Sequence, residues 1–318
     1  MTQRIVIAGA SGFIGRTLQA HFADVRGWEV VTIGRADAVR WGDATAIRSA
    51  VDGASLVVNL AGKSVNCRYS AANRAEIVRS RVDTTRQLAD AIAAVERPPA
   101  LWVNSSTATI YRHAMDRPQT ESSGELGDGF SVSVARAWED AFFSAELPAT
   151  RRVALRMAIV LGDGSALEPL AALTRAGLGG AQRDGVWFRS TRRRAAGTEH
   201  RPGSSGGRQK FSWVHVDDVV RVVDWVSERA DIEGVLNVAS PHPEDNRRLM
   251  AHLRRILHRP TGLPMFRWML ELGSIAIRTE TELVLKSRWV LPERLMAEGF
   301  TFAHADLEKA LASILAPR

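Results

Sequence analysis

The 318-residue chain contains little cysteine and no long uninterrupted apolar run, and both shortages limit what it can be. Its single cysteine, Cys67, excludes an internal disulfide and a zinc cluster built from thiolates. Even the most apolar late stretch, residues 263–285, carries five charged side chains, so we expect no membrane-spanning helix and no membrane partner. The first predicted strand begins by residue 4 and leaves no room for a signal peptide. These features favour a cytoplasmic protein.

The excess positive charge is concentrated in one segment. The net charge is +7, yet residues 182–210 hold eight arginine and lysine residues against two acidic ones. The rest of the chain is nearly neutral, which argues against nucleic acid as a partner. Glycine, proline and serine between residues 197 and 207 predict a solvated, disordered Arg/Gly-rich loop at 182–210. Docking of an acidic partner on this loop is the weaker alternative.

Three glycines near the amino terminus form the strongest pattern in the sequence. Ile5 to Ala8 is a short apolar run typical of a buried strand, and Gly9, Gly12 and Gly15 follow at intervals of three. Apolar residues at helical spacing begin at Phe13, so a helix starts inside the glycine run. Strand, glycine turn and helix N-terminus predict a dinucleotide-binding crossover, in which backbone amides contact the pyrophosphate. The residues assigned to the cofactor here are Gly9, Ser11, Gly12, Phe13, Ile14 and Gly15.

Two further strand ends are expected to face the same cofactor. The strand Glu29–Ile33 runs towards Arg35, and an arginine there favours the 2′-phosphate of NADP(H), whereas an acidic residue would favour NAD(H). The strand Leu56–Leu60 closes with Ala61 and Gly62, whose small size lets the backbone pass close to adenine and ribose. The sequence therefore predicts NADP(H) as the preferred cofactor, leaves NAD(H) open, and adds Arg35, Leu60, Ala61 and Gly62 to the cofactor residues.

Strand and helix patterns alternate from the start of the chain, which predicts an α/β fold. We expect a Rossmann-type, doubly wound parallel sheet with a smaller, mostly helical C-terminal lobe. Residues 1–163 are predicted to form the nucleotide-binding domain, with 211–240 returning to it. Residues 164–210 and 241–318 are predicted to form a lobe that covers the substrate. Further expected elements are strands at 101–104 and 153–161 and helices at 84–95, 131–145, 167–176 and 219–229.

Polar residues near position 215 have the composition of a metal site. His215, Asp217 and Asp218 lie close together in the sequence just before the predicted helix 219–229. Asp217 is well placed to cap that helix, and Asn246 is well placed to cap the next one. We therefore predict helix capping and a packed histidine, with no metal site.

Several separate motifs match one family pattern. The opening glycine run, Asn-Leu-Ala-Gly at 59–62, Ser-Ser-Thr-Ala-Thr-Ile-Tyr at 105–111 and Trp-Val-His-Val-Asp-Asp at 213–218 resemble those of extended short-chain dehydrogenase/reductases. Leu-Pro-Glu-Arg-Leu at 291–295 is similar to the atypical, epimerase-like subgroup labelled nucleoside-diphosphate-sugar epimerases, of the NAD-dependent epimerase/dehydratase family. The resemblance covers nearly the whole chain except residues 182–208. It implies that Ser105 contacts the cofactor and that Ala158 and Ile159 line the nicotinamide.

The proton-transferring pair of that family is missing. Its members usually use a tyrosine whose pKa is lowered by a lysine four residues later on the same helix. The only tyrosines here, Tyr69 and Tyr111, are not followed by lysine at that spacing. Phe130 and Val134 stand about where the pair should be. What remains of the family machinery is Thr107, or Ser106 beside it, to hydrogen-bond the substrate oxygen.

Two hypotheses follow from this pattern. The leading one is an NADP(H)-dependent oxidoreductase or epimerase-like enzyme acting on a small carbonyl or hydroxyl substrate, a class that includes nucleotide sugars. Its proton would come from Ser131, Ser133, His113, Tyr111 or water. The alternative is a non-catalytic NADP-binding regulatory or redox-sensing protein, and some members of the resembling subgroup carry a label linked to cell division. The sequence leaves the substrate and the oligomeric state open.

Overall fold

Short strands of β-branched residues form a parallel sheet at the centre of the protein. The computed structural model describes residues 3–163, 167–188, 190–200, 206–276 and 280–316. The strands are β1 Arg4–Ala8, β2 Glu29–Gly34, β3 Val39–Arg40, β4 Leu56–Asn59, β5 Leu101–Thr107, β6 Arg151–Met157, β7 Ile159–Leu161, β8 Lys210–Phe211, β9 Trp213–His215, β10 Gly234–Val238 and β11 Glu244–Asp245. Seven of them pair in the order β10-β6-β5-β4-β1-β2-β3, and all neighbours are parallel.

Helices cover both faces of this sheet. They are α1 Phe13–Ala20, α2 Ala44–Val51, α3 Ala71–Ala93, α4 Phe130–Phe143, α5 Leu167–Arg175, α6 Thr191–Ala195, α7 Val216–Glu228, α8 Asn246–Ile256, α9 Arg267–Ala276, α10 Glu282–Leu285, α11 Glu293–Ala297 and α12 Leu307–Leu315. One π-helical turn, His21–Val25, extends α1, and one 3₁₀ turn, Ala108–Ile110, follows β5. Within the described parts of the chain, no helix is both long and apolar enough to cross a bilayer.

Alternation along β1 shows why the sheet is wound on both sides. Ile5 and Ile7 pack into one core together with side chains of α1 and α7. Val6 and Ala8 point to the opposite face and pack into a second core with α2, α3 and α4. Because successive residues of a strand face opposite sides, a continuous apolar run requires a cover on each face. The predicted doubly wound α/β fold with a helical C-terminal region is therefore confirmed.

Several helix boundaries differ from those predicted. Helix α3 begins at Ala71, capped by the Ser70 hydroxyl, well before the predicted start at residue 84, because charged residues in its first half hide the apolar period. Helix α7 is capped by His215, whose Nδ1 accepts from the Asp217 amide at 3.2 Å, so the prediction of Asp217 as cap is wrong. Helix α8 is capped by Asp245 and not by the predicted Asn246.

The predicted strand 153–161 is interrupted. Strand β6 pairs with β5 and β10 in the main sheet, whereas β7 pairs only with β9 in a separate two-stranded sheet. The Ala158 amide, between β6 and β7, donates to the Val238 carbonyl at 2.9 Å. Strand β10, at 234–238, completes the edge of the main sheet. The division into a nucleotide-binding domain and a substrate-covering lobe stays a prediction.

The described part of the Arg/Gly-rich segment 182–210 is ordered, unlike the solvated, disordered loop that its composition predicts. Its described part contains α6 and β8, and Arg193 forms ion pairs with Glu271 at 3.0 Å and Glu280 at 3.3 Å. Both carboxylates are buried, so the arginine-rich segment is fixed to the C-terminal region by charge pairing. Composition gives the number of charged residues in a segment but does not show which distant residues form ion pairs with them. The residues of this segment outside the described ones are Arg189 and 201–205.

Candidate functional site

The glycine turn after β1 leaves the N-terminus of α1 open to a ligand. Gly9 has a φ of +84°, and a Cβ there would lie 3.0 Å from the Ala61 nitrogen. A Cβ at Gly15 would lie 2.5 Å from the Gly9 oxygen, so α1 packs directly on the strand end. No described side chain caps α1, and Ser11 and Gly12 are exposed. The helix N-terminus therefore presents free amides and a partial positive charge to a space suited to phosphate.

The first turn of α1 holds the other two predicted cofactor residues. The Phe13 ring lies against the end of β7, because a Cβ at Gly162 would be 2.5 Å from its Cζ. Ile14 packs partly into the core shared with β1. The Arg16 guanidinium donates to the Ser11 carbonyl at 2.7 Å, so this arginine braces the glycine turn itself.

The end of β2 combines positive and negative side chains. Arg35 is exposed immediately after the strand. The Arg79 hydrogen bond holds the pKa of Glu76 below its usual range, and the charges of Lys63 and Arg35 act in the same direction. Arg35 and Lys63 therefore both lie near Glu76 in the first half of α3. The Asp37 carboxylate lies over the last residue of β2, an acidic acceptor that the sequence analysis did not single out.

The loop after β4 is held against the glycine turn. The Leu60 amide donates to the end of β1 at 2.8 Å, and the Ala61 amide donates to Asn59 Oδ1 at 3.0 Å. A Cβ at Gly62 would lie 3.1 Å from the guanidinium carbon of Arg81. Burial lowers the pKa of Arg81 to about 10, and its side chain donates to the backbone of the same loop at 3.0 Å. Arg81 thus supports this loop from within the protein.

Ser106, a candidate for substrate contact, belongs to a buried polar network. Its hydroxyl donates to Glu139 Oε1 at 2.5 Å, and Arg156 pairs with both oxygens of the same carboxylate at 2.8 and 2.7 Å. Arg156 also donates to the Tyr111 hydroxyl at 3.0 Å, which donates to Asn237 Oδ1 at 2.9 Å. Burial alone would lower the pKa of Arg156, but Glu139 and Tyr111 raise it above its usual value. The network fixes the carboxyl end of β5.

Thr107 is placed differently from its neighbours. Ser105 and Ser106 are buried, whereas Thr107 is partly exposed at the last position of β5. Its Oγ1 accepts from the Thr109 amide at 3.1 Å. A hydroxyl that accepts one hydrogen bond can still donate its own hydrogen. Thr107 is therefore the better placed of the two candidates to contact a substrate oxygen.

Apolar packing fills the positions of the missing family pair. Phe130 and Val134, one turn apart at the start of α4, form a cluster with Tyr69 and Ile77. The rings of Tyr69 and Phe130 meet edge to face at 4.9 Å. Burial raises the pKa of Tyr69 to about 12, so its phenol is a poor proton donor near neutral pH. Tyr69 therefore does not replace the absent tyrosine.

The other candidate proton donors are occupied in different ways. The Ser131 hydroxyl donates to Glu282 Oε2 at 3.3 Å, and the Ser133 hydroxyl donates to the carbonyl of Phe130 at 2.8 Å. His113 Nδ1 accepts from the Ser287 amide at 3.1 Å. The bonds of Ser131 and His113 link the start of α4 and the loop after β5 to the segment around α10, whereas the bond of Ser133 stays within α4.

Ala158 and Ile159 lie where β6 gives way to β7, at the same sheet edge as the glycine turn and Thr107. Ala158 is buried and Ile159 is half-buried. The sheet order places the ends of β1, β4, β5 and β6 side by side, so the predicted site residues from all four strands share one edge. Ligands in open parallel sheets bind at this carboxyl edge, near the point where strand order reverses.

A polar cavity lies beside the loop that follows β5. Its volume is about 510 Å³, and it lies between the loop after β5, the glycines before α4, the arginine-rich segment and α10. Lys286 lines it and donates from Nζ to the Thr109 carbonyl at 2.8 Å. The other charged or ionisable residues of its walls are Arg112, His113, Asp128, Arg194, Glu199, His200 and Glu282. Most residues that line the cavity are therefore charged or ionisable.

A second group of polar residues lies beside α7. His215, Asp217 and His304 place possible ligand atoms within 4.8 Å of one another. The two imidazole rings stack at 3.9 Å, and His215 Nδ1 accepts the Asp217 amide. Capping and ring packing account for this arrangement, and the absence of a metal site stays a prediction.

Comparison with family models identifies two regions of the chain. A model described as the NAD dependent epimerase/dehydratase family matches residues 5–133, which contain the glycine turn, β5 and the loop that follows β5. A model described as a domain of unknown function (DUF1731) matches residues 265–314, which contain Lys286.

Individual proteins match over most of the chain. The epimerase family protein YfhF of Bacillus subtilis is 30% identical over 261 residues, covering 82% of this chain and 78% of YfhF. The crystal structure of the human epimerase family protein SDR39U1 (isoform 2) with NADPH has a TM-score of 0.82 and 27% identity, over 98% of this chain and 99% of that one. A nucleoside-diphosphate sugar epimerase from Corynebacterium glutamicum has a TM-score of 0.72 and 25% identity, over 99% of this chain and 58% of that one. The chain therefore belongs to the NAD dependent epimerase/dehydratase family of extended short-chain dehydrogenase/reductases.

Proposed function

We propose that the protein is an NADP(H)-dependent oxidoreductase or epimerase-like enzyme acting on a small polar carbonyl or hydroxyl compound, a class that includes nucleotide sugars. The observation that carries the proposal is one sheet edge that holds an open glycine turn, a partly exposed Thr107 and, beyond it, a polar cavity of about 510 Å³. Fold alone does not determine chemistry, so the proposal rests on this arrangement and not on family membership.

The residues present fit a phosphorylated dinucleotide. The uncapped N-terminus of α1, with Ser11 and Gly12 exposed, would hold the pyrophosphate. Arg35 and Lys63 would face the adenosine 2′-phosphate. The human relative crystallised with NADPH supports the same choice. Asp37 at the end of β2 is the observation that favours NAD(H) as a second coenzyme, because a carboxylate accepts from ribose hydroxyls.

Replacing Arg35 by alanine is expected to weaken NADPH binding roughly 10- to 100-fold, the value of a charge-assisted hydrogen bond to phosphate. NADH binding should change little, because NADH lacks the 2′-phosphate. Titration of the bound nicotinamide fluorescence with each coenzyme measures both affinities. Arg97→Ala, which removes another largely exposed arginine remote from the glycine turn, is the matched control. An unchanged NADPH preference in Arg35→Ala would show that Arg35 does not select the coenzyme.

Thr107 is the residue proposed to contact the reacting oxygen. When bound, the cofactor would supply the hydride chemistry of the family. The Thr107 hydroxyl would donate to the substrate oxygen and stabilise the negative charge that develops there during reduction. The 3₁₀ turn that follows β5 holds this hydroxyl through the Thr109 amide, so it needs little reorganisation.

Purified protein is expected to consume NADPH with at least one member of a panel of polar aldehydes, ketones and nucleotide 4-keto sugars. Thr107→Val should lower kcat by roughly 10²- to 10³-fold, as loss of one oxyanion donor does. Ser106→Ala should lower the unfolding midpoint, because its hydroxyl belongs to the Glu139 network. Its kcat should fall much less than that of Thr107→Val. Loss of nicotinamide absorbance at 340 nm and thermal unfolding measure the two effects. Equal kcat in wild type and Thr107→Val would contradict the role of Thr107.

A non-catalytic NADP-binding regulator is the rival function. The observation that favours it is the apolar cluster of Phe130 and Val134 at the positions of the family's tyrosine and lysine. Tight NADPH binding without oxidation by any compound of the panel would support the rival. A change in NADPH affinity upon addition of a panel compound, accompanied by turnover, would exclude it.

We also propose that the protein works in the cytoplasm. Its single cysteine is unpaired and partly exposed, as suits a reducing compartment. Fractionation of the source cells, followed by immunoblotting, tests this location. Recovery in a membrane or secreted fraction would contradict it.

A further inference from the structure

A buried amine lines the polar cavity and contacts the 3₁₀ turn that follows Thr107. Lys286 follows α10 and is only 7% exposed. Its Nζ is 2.8 Å from the carbonyl oxygen of Thr109, and the amide of the same Thr109 is 3.1 Å from Thr107 Oγ1. Because the nitrogen and oxygen of one residue are roughly 3 Å apart, the amine and the Thr107 hydroxyl lie within about 9 Å of each other.

Charged groups surround this amine on every side of the cavity. Glu282 lies one turn earlier on its own element, Asp128 lies on the loop before α4, and Arg288 lies two residues further along the chain. The loop after β5 contributes Arg112 and His113, and the arginine-rich segment contributes Arg194, Glu199 and His200. Burial lowers the pKa of Lys286 to about 8, with Arg288 acting in the same direction and Glu282 and Asp128 opposing it. An amine in this state exchanges its proton readily near neutral pH.

We propose that Lys286 is the proton-transfer residue of the reaction and replaces, from the C-terminal region, the tyrosine and lysine that are absent from α4. The proposal rests on the proposed oxidoreductase function. Its support is geometric: the amine faces the polar cavity, and Thr109 connects it to the hydroxyl that would hold the substrate oxygen. The positions of the family pair are filled by Phe130 and Val134, which cannot transfer protons.

The proposed step balances with the cofactor and the amine alone. The substrate carbonyl carbon gains a C–H bond as it accepts hydride from the reduced nicotinamide, which becomes oxidised. The electron pair of the C=O π bond moves to oxygen, which gains a proton as one Nζ–H bond breaks. The products are an alcohol, NADP⁺ and neutral Lys286, which recovers its proton from water in the cavity. Oxidation of an alcohol runs through the same transfers in reverse and needs neutral Lys286 at the start.

The first test measures the amine itself, without turnover. Competitive acetylation with acetic anhydride at a series of pH values, read by peptide mass spectrometry, reports the midpoint at which each lysine loses its proton. We expect a midpoint near pH 8 for Lys286 in the protein without bound coenzyme. Exposed Lys309 serves as the internal reference for the extent of acetylation. A Lys286 midpoint at the ordinary lysine value of about 10.4 would overturn the proposal.

The second test compares pH profiles of carbonyl reduction by wild type and by Lys286→Met. In wild type, kcat/KM should be constant below pH 8 and fall above it, because reduction needs the protonated amine. In Lys286→Met, kcat should fall roughly 10²- to 10⁴-fold and the decline above pH 8 should disappear. Lys286→Arg keeps the positive charge but cannot release its proton at these pH values, so it should not restore the rate. Lys309→Met is the matched control and should behave as wild type.

NADPH affinity and the thermal midpoint are measured for each variant to confirm that cofactor binding and folding survive. If Lys286→Met kept the turnover and the pH profile of wild type, the role of Lys286 would be overturned. The proposed function would remain in place. Restoration of the wild-type rate by Lys286→Arg would also overturn it, since charge alone would then suffice. No NADPH oxidation by wild type with any compound would overturn the proposed function and, with it, this role of Lys286.

Discussion

Alanine in place of Gly15 is expected to lower NADPH affinity at least roughly 100-fold and to destabilise the fold by about 1–3 kcal/mol. The added Cβ would lie 2.5 Å from the Gly9 oxygen and 2.7 Å from the Ala10 Cα, both of them backbone atoms of the glycine turn. Only a shift of α1 away from β1 relieves this overlap. Such a shift moves the free amides of the helix N-terminus away from the pyrophosphate they would hold.

Gly273→Ala is the matched control for the Gly15 substitution. Gly273 lies inside α9, and apart from the backbone of its own helix a Cβ there meets no atom of the described residues within 4 Å. Alanine favours the helix over glycine, so this variant should be as stable as wild type or up to about 1 kcal/mol more stable. Isothermal titration with NADPH and urea unfolding report the two effects. Wild-type affinity in Gly15→Ala would refute the placement of the pyrophosphate at this turn.

Glu139→Gln is expected to destabilise the protein by about 3–5 kcal/mol, because it leaves a buried guanidinium without its counter-charge. The side chains of Arg156 and Glu139 are 13% and 10% exposed and meet through two hydrogen bonds. The same carboxylate accepts from Ser106, one residue before Thr107. A fall in kcat should therefore accompany the loss of stability, since the end of β5 loses its anchor.

A double substitution distinguishes the cost of an unpaired buried charge from the contribution of the ion pair itself. Glu139→Gln combined with Arg156→Met removes both charges, and we expect it to be more stable than Glu139→Gln alone. Arg255→Ala breaks the exposed ion pair with Glu308 and should leave the unfolding midpoint almost unchanged. Urea unfolding of the four proteins gives the comparison. A free energy of unfolding for Glu139→Gln within about 0.5 kcal/mol of wild type would contradict this and mean that water already shields Arg156.

Features encoded within a short stretch of chain could be predicted from the sequence. The strand, the glycine turn and the helix N-terminus all lie between residues 4 and 20, so their spacing alone predicts the crossover that the structure contains. The parallel sheet follows in the same way from alternating apolar strands and helices. The sequence does not predict which of two neighbouring polar residues caps a helix. His215 caps α7 in place of Asp217 because of side-chain orientation, which spacing does not encode.

Features that depend on distant residues could not be predicted. Nothing near Lys286 in the sequence indicates that it meets the exit of β5, and the proton donors that spacing suggests all lie close to α4 and β5. The ion pairs of Arg193 were unpredictable for the same reason, because Glu271 and Glu280 lie 78 and 87 residues away. The supporting roles of Glu139 and Arg81 also depend on partners that are distant in the sequence, so only the structure identifies them.

The contact between Thr109 and Lys286 joins positions 177 apart in the chain, and this separation bears on biosynthesis. Strands β1 to β6 are all translated before residue 160, so a nascent chain can begin to pair them on the ribosome. The amine reaches the sheet only after more than a hundred further residues have been added, and closing so long a loop is slow. During synthesis, the proposed dinucleotide-binding site would thus form before the proposed proton-transfer residue is in place.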